Sequence, residues 1–319
     1  MILALAGGVG GAKLVDGLAQ VLAPHELVVA VNTGDDFEHL GLQISPDLDT
    51  VMYTLAGVAN PVAGWGVADE TWGFMDALEK LGGPTWFRLG DRDLATHVER
   101  TRRRASGEPL AAVTKDLCAR LGVRHPVAPM SDDPVRTLVR TGGSTLEFQQ
   151  YFVREKCEPQ VQGFEYEGAP RAQPSEALRA ALESSSLEGV VICPSNPYLS
   201  IGPILAIPGV PGALKRCRRV IAVSPIVAGQ ALKGPTAKIM NELGVEASPV
   251  GVARYYGGVI QTLVIDRADS RFAPQIEPLG VQAVVSDTVM QAQADRARLA
   301  AECVALIRRA GAQPQRLRA

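Results

Sequence analysis

The sequence predicts an α/β fold: a Rossmann-like parallel sheet in a three-layer core, carrying a small helical insertion and a β insertion. Three observations point there. The chain opens with a short apolar run, Ile2-Leu3-Ala4-Leu5-Ala6, that stops in Gly7-Gly8-Val9-Gly10-Gly11 and resumes with helical spacing from Lys13, as when a buried strand hands over to a helix. A second apolar run, Leu27 to Val31, ends at Asn32-Thr33-Gly34-Asp35-Asp36. In the second half, runs of the same kind end in small polar and proline-rich turns, at Pro194-Ser195-Asn196-Pro197 and Ser224-Pro225-Ile226. In a parallel sheet such turns line the crevice beyond the carboxyl ends of the strands.

The glycine turn reads in two ways. Glycines let a backbone approach a ligand, and a helix start offers unpaired N–H groups and a positive dipole end, so a phosphate is the natural guest. The alternative is a merely tight strand-to-helix turn. Neither standard motif fits: the dinucleotide fingerprint needs a third glycine where Lys13 stands, and a P-loop needs Gly-Lys followed by Ser or Thr. Downstream, Ser45-Pro46-Asp47-Leu48-Asp49-Thr50 places two carboxylates before an apolar stretch. That pattern caps a helix or, with Asp35 and Asp36, supplies oxygen ligands to a divalent cation.

From Val51 to Val123 the rhythm is helical, with Phe74, Leu78 and Leu81 on one face and Leu110, Val113, Leu117 and Leu121 on another. We expect residues 51–123 to form a helical insertion over the sheet, leaving 1–50 and 124–319 as the core. Arg88 to His97 is expected as a charged loop, pointing into the cleft or solvated, and Arg100 to Arg104 as a wet helix face. Alternation over 127–168 reads as the β insertion, entered by the turn Ser131-Asp132-Asp133-Pro134. Strands follow at Gly189–Cys193, Arg219–Val223, Val259–Ile265 and Ala283–Val285, and a helix opens at Gly234-Pro235-Thr236. A long helix through Ile307 closes the fold, with a frayed tail from Ala310.

Bulk properties narrow the function. The 319 residues are 46% hydrophobic, enough for a real core, and 32 basic against 34 acidic residues leave no basic field for nucleic acid. The five cysteines lack paired spacing for zinc or redox chemistry, and the four histidines are scattered. No apolar run has bilayer length, and the six-residue apolar start lacks a basic leader; no membrane association and a cytoplasmic location are expected. Carboxylates, Lys, Arg and backbone amides remain, a set suited to phosphoryl transfer assisted by a cation.

The blocks Gly7 to Lys13, Asn32 to Asp36, Ser45 to Thr50, Leu89-Gly90-Asp91-Arg92-Asp93-Leu94-Ala95-Thr96-His97, Ser131 to Pro134, Pro194 to Pro197 and Ser224 to Ile226 resemble, in this order, the 2-phospho-L-lactate transferases of deazaflavin coenzyme F-420 biosynthesis. The resemblance runs from Met1 to about Ile307. It implies transfer from a GDP-linked donor, carrying a 2-phospholactyl, phosphoenolpyruvyl or 3-phosphoglyceryl group, to the terminal ribityl hydroxyl of the deazaflavin Fo, with release of GMP. It further implies a requirement for Mg2+, a homodimer, and Fo binding by the matching residues Asp49 and Arg88. With these in view we expect Gly8, Gly10, Gly11, Lys13 and Asn32 to hold the donor diphosphate, and Ser195 and Asn196 to contact the nucleotide. Asp36 with Asp35 or Asp49 is expected to bind metal. Asp49 and Asp36 are the expected catalytic groups, Asp49 orienting the hydroxyl. Two alternatives stand beside this: a nicotinamide dehydrogenase, which lacks its third glycine, and a non-catalytic nucleotide-sugar-binding regulator of the same superfamily.

Overall fold

The computed structural model describes residues 1–232 and 234–309. Seven parallel strands form its sheet: β1 (Ile2–Ala6), β2 (Leu27–Val31), β3 (Val127–Pro129), β4 (Gly189–Ile192), β5 (Val220–Val223), β6 (Thr262–Asp266) and β7 (Gln282–Ser286). Their spatial order is β7-β6-β5-β4-β1-β2-β3. The chain winds outward from β1 through β2 to β3, then restarts at β4 and winds the other way. Between β1 and β4, paired in register from Ile2 with Gly189 to Leu5 with Ile192, the connections part to opposite sides. A crevice opens there at the carboxyl ends.

Side-chain alternation explains the three layers. Leu3 and Leu5 of β1 join one core with Val190, Ile192, Ala222 and Ile265, whereas Ile2, Ala4 and Ala6 join another with Val29, Val31, Val191 and Ile221. Every residue of β1 is fully buried, because helices cover both faces of a parallel sheet. On the second face lie α1 (Gly8–Val21), α2 (Pro46–Leu55) and the terminal helix Gln293–Arg309. Gly17 lets α1 touch that helix: a Cβ there would stand 2.1 Å from the Arg296 carbonyl oxygen.

The expected boundaries shift where packing outweighs pattern. Val127–Pro129 is the edge strand β3 of the main sheet, in register with Val29–Val31. The β insertion therefore starts later, as an antiparallel sheet of Arg136–Thr141 flanked by Thr145–Glu147 and Val161–Glu167. The helical block also divides. Val51, Met52 and Tyr53 of α2 sit in the sheet-facing core with Leu110, Val113 and Leu117. What stands off the sheet is roughly 56–109, with α3 (Gly73–Lys80) and α4 (Asp91–Ala105); α5 (Leu110–Arg120) returns to β3.

On α3 it is Met75 that is buried, against Phe37, Ile44 and Leu89. Phe74 and Leu81, expected to share an apolar face with Leu78, are 38% and 85% exposed because α3 covers only this small cluster. The loop expected over Arg88 to His97 ends at Gly90, where α4 begins. Strand β6 starts at Thr262 rather than Val259, and the terminal helix begins at Gln293. The tail from Ala310 lies outside the described residues. Among the described residues no single helix is long and apolar enough to cross a membrane.

Candidate functional site

The glycine turn is built by packing before it meets any ligand. Cβ atoms at Gly10 and Gly11 would fall 2.3 Å from the Pro194 carbonyl oxygen and 2.7 Å from Ser195 Oγ, so this turn and Pro194-Ser195 can pack only without side chains there. Ser195 Oγ donates to the Gly7 carbonyl at 2.8 Å and accepts from the Gly7 N–H at 3.2 Å, joining the ends of β1 and β4. Gly8 has φ +64, a backbone region that glycine enters without strain. Its N–H donates to Asp47 Oδ1 at 2.6 Å. A carboxylate of the protein therefore already sits at the positive end of α1, where a bare phosphate was expected.

Asp47 reaches that place because Pro46 opens α2 and sets the first turn, with Asp47 facing back over the glycines. From β2 comes its partner. Asn32 Nδ2 donates to Asp47 Oδ2 at 2.9 Å and to Asp35 Oδ1 at 3.1 Å, and Asn32 Oδ1 accepts from the Gly34 N–H. Two buried carboxylates thus converge on one amide nitrogen. Burial raises Asp47 to about 6, against the opposing bonds from Asn32 and Gly8. Burial, then the charges of Asp47 and Asp36, hold Asp35 well above the ordinary carboxylate range. Asp36 is raised to about 7 by burial, although Arg136 and the Ser45 hydroxyl pull it down. Ser45 Oγ donates to Asp36 Oδ2 at 2.7 Å, and Asp36 Oδ1 has no partner. Thr33 Oγ1, Thr137 Oγ1 and Asn196 Nδ2 are further buried polar atoms without partners. Leaving such groups unpaired costs free energy, so their gathering at this rim marks a site with ligands still to come.

A second buried network lies behind it. Arg100, 2% exposed, grips Asp49 through both terminal nitrogens, Nη2 to Oδ1 and Nη1 to Oδ2 at 3.1 Å. His97 Nδ1 lies 3.7 Å from Asp49 and its Nε2 3.3 Å from Asp93, while the Tyr53 hydroxyl donates to Asp93 at 2.7 Å. Asp93, His97 and Arg100 share one face of α4 by their spacing of four and three. Asp49, Asp93 and His97 lie close enough together to ligate a metal. In this structure Arg100 pairs with Asp49, and the Tyr53 hydroxyl with Asp93.

The expected site residues are thereby sorted. Gly8, Gly10, Gly11, Asn32, Asp35, Ser195 and Asn196 come together at the strand-order reversal, with Asp36 beside them. Asn196 turns its Oδ1 to the backbone N–H groups of Tyr198 and Leu199. Lys13 Nζ donates to the Met290 carbonyl at 2.9 Å, directed toward the loop before the terminal helix. Asp49, expected to ligate metal and orient a hydroxyl, instead has both oxygens on Arg100. Arg88 lies over the ring of Trp72 at 4.6 Å, on the helical insertion. Arg100, expected on a wet face, is buried, because the charge of Asp49 draws it inward. Ser131-Asp132-Asp133-Pro134 is structural: Asp132 accepts from the Ala111 N–H at 2.7 Å and Asp133 from the Gln173 N–H at 2.8 Å. Asp47, expected only as one of a pair that caps a helix or supplies cation ligands, is the member of that pair that faces the glycine turn. Its signal was present in Pro46, which fixes where the helix starts.

Two hollows of about 570 and 510 Å³ lie elsewhere, one along Tyr166 to Arg171, the other between Arg216, Cys217 and Arg308. Neither is lined by the glycine turn or its acids.

The family model for 2-phospho-L-lactate transferase CofD matches residues 2–307. The chain belongs to this family. A phosphoenolpyruvate transferase of Streptomyces griseus is 42% identical over 290 residues, 88% of this chain and 90% of that protein. A 2-phospho-L-lactate transferase of Methanosarcina mazei is 38% identical over 284 residues, 89% of this chain and 93% of its own. A crystal structure of a UPF0052 family member from Bacillus halodurans superposes with a TM-score of 0.60 at 15% identity, covering 95% of this chain and 98% of that one, which shows a shared fold. This CofD-family protein is thus a transferase by family, and its parallel sheet with helices on both faces matches the fold expected of it.

Proposed function

We propose that this CofD-family transferase moves a phospho-acid group from a GDP-linked donor to the terminal hydroxyl of Fo, releasing GMP, in coenzyme F-420 biosynthesis. The observation that carries this reading is the convergence of Asp35 and Asp47 on Asn32, over the glycine turn and at the reversal of strand order. Relatives named for phosphoenolpyruvate and for 2-phospho-L-lactate support the donor class and leave both acids as candidates.

The donor set fits Mg2+. Magnesium is commonly held by one or two carboxylates, with substrate phosphates and water completing its shell. Asp35 and Asp47 offer that pair, brought together on Asn32 Nδ2, and burial favours the protonated form of each while no cation is bound. A donor diphosphate approaching the start of α1 would meet the Asp47 carboxylate, so Asp35 and Asp47 would hold a cation that offsets that repulsion. When bound, the ion would polarise the phosphoryl oxygens and draw off charge as the leaving group departs.

The chain's own groups do the rest. The glycine turn and the Pro194-Ser195-Asn196 turn would hold the nucleotide end of the donor, and the helical insertion with Arg88 would cover Fo. The ribityl oxygen forms a bond to the phosphorus that bears the acid, the bond from that phosphorus to GMP oxygen breaks, and the hydroxyl proton passes to Asp36 Oδ1. A carboxylate raised to about 7 suits a proton acceptor at neutral pH. Asp49, neutralised by Arg100, forms a rigid back wall that fixes α2 against α4. A homodimer, implied by the resemblance, is part of this proposal. The test is GMP release from each guanylylated donor in the presence and absence of Fo, with the product weighed by mass spectrometry. Release that ignores Fo rejects the reading in favour of donor hydrolysis, and none with any donor rejects it in favour of a nucleotide-binding regulator.

A further inference from the structure

The β insertion brings one cation to the rim of this site. The Thr137 N–H donates to the Gly34 carbonyl at 2.6 Å, which ties the first strand of the insertion to the turn Thr33 to Asp36. Arg136 precedes that bond by one residue and is therefore rooted beside Asp35 and Asp36. Arg136 is half-buried, and among the described residues the one hydrogen bond of its guanidinium runs from Nη1 to the neighbouring Val135 carbonyl, at 2.9 Å. Glu167 is its ladder partner in the antiparallel sheet, yet among the described residues Arg136 has no ion pair within 4 Å. Most of its five donors stay available in a fixed fork that matches two oxygens of one anion. Its charge already acts on both neighbouring acids, opposing the effect of burial on Asp35 and Asp36.

The other cations near the cleft are committed differently. Arg100 is locked to Asp49, and Lys13 reaches to Met290. A transferring phosphoryl group carries charge on its equatorial oxygens, and a site that puts carboxylates on one side of it needs positive charge on the other.

We propose that Arg136 binds phosphate oxygens of the donor's diphosphate, from the side of the cleft opposite Asp47. This rests on the reading of the site given above, and it assigns a binding role to the β insertion. A guanidinium bonded only to its neighbour's carbonyl can be replaced without opening the fold, so the variants Arg136→Gln and Arg136→Lys are suitable probes.

The experiment is calorimetric titration of the full chain with GDP, and separately with inorganic pyrophosphate, each with and without Mg2+. Arg136→Gln is expected to bind both at least about tenfold more weakly, the loss of a charge-assisted hydrogen bond. Arg136→Lys should fall between that and the unaltered chain. Fo affinity and the thermal midpoint should stay unchanged. GDP and pyrophosphate affinities within about twofold of the unaltered protein would overturn the proposal, as would an equal loss of Fo binding. If the unaltered protein binds GDP but does not transfer to Fo, the reaction assigned above fails while the Arg136 comparison still reads. If it binds neither GDP nor pyrophosphate, both fall.

Discussion

Asp47 and Asp49 stand two positions apart on one helix start, and the fold gives them opposite work. Asp47 faces the glycine turn and Asn32, whereas Asp49 is turned inward to Arg100. Replacing Asp47 by Asn keeps the shape and removes one of the two charges proposed to hold Mg2+. Asp47→Asn should therefore lower turnover by on the order of a hundredfold at millimolar Mg2+, with partial recovery as Mg2+ is raised; an unchanged Mg2+ dependence would take Asp47 out of the metal site. Arg100 is different in kind. Removing one partner of a buried ion pair leaves an uncompensated charge and costs about 3–5 kcal/mol. Arg100→Leu should lower unfolding stability in urea by that order, and adding Asp49→Leu should restore much of it. Losses that simply add would show that the pair is not coupled.

These residues also show what could be read from the sequence alone. The glycine turn, the Asn32 to Asp36 turn and the Pro194 to Asn196 turn were legible because each follows a buried strand, and strand ends of a parallel sheet must meet. Direction within a helix was not. Whether Asp47 or Asp49 faces the crevice depends on the helix phase set by Pro46, and Arg100 looks like its exposed neighbour Arg102 until Asp49 is placed beneath it. The same holds for Lys13, whose long stem reaches a loop more than 270 positions along the chain.

At the scale of elements, the helical insertion is tied by two reciprocal caps. Glu70 accepts from the N–H groups of Arg92 and Asp93, at the start of α4. Asp91 accepts from the N–H groups of Gly73 and Phe74, at the start of α3, and from the Thr71 hydroxyl. Each carboxylate fills donors that a helix start leaves open, which is why charge is dense where the sequence leaves one helix for the next. The bonds it accepts hold Asp91 below the ordinary carboxylate range. Asp91→Ala should loosen residues 70–94 and leave the sheet intact. Limited proteolysis should then cut this segment several-fold faster with little change in the global melting midpoint. A large fall in that midpoint would instead make the insertion part of the main cooperative unit. The insertion's outer limits were harder to read, because α2 and α5 share its helical period and differ only in what they pack against.

The acids of the site bear on the stability of the whole molecule. Asp36 is raised to about 7 and Asp47 to about 6 from an ordinary value of 3.8, and Asp35 is raised as well, in each case chiefly by burial. Between about pH 4 and 7 the folded, metal-free protein therefore binds more protons here than the unfolded chain does. Stability from these groups is fully present below the unfolded value and is lost as pH rises through the folded ones. Each tenfold gain in a group's proton affinity on folding contributes at most about 1.4 kcal/mol. Carboxylates held low elsewhere, such as Asp93 and Glu188, act in the opposite sense, so the readout must be a difference. In the presence of a chelator, the unfolding free energy of the unaltered protein should fall relative to that of Asp47→Asn as pH is raised from 4 to 8. Adding Mg2+ at pH 8 should stabilise the unaltered protein and close most of that gap, since a cation bound only to the folded, ionised site favours it by mass action. A difference that stays flat across this range would mean that Asp47 ionises in the folded state as easily as in water, and that its meeting with Asp35 on Asn32 stores no charge for a cation to neutralise.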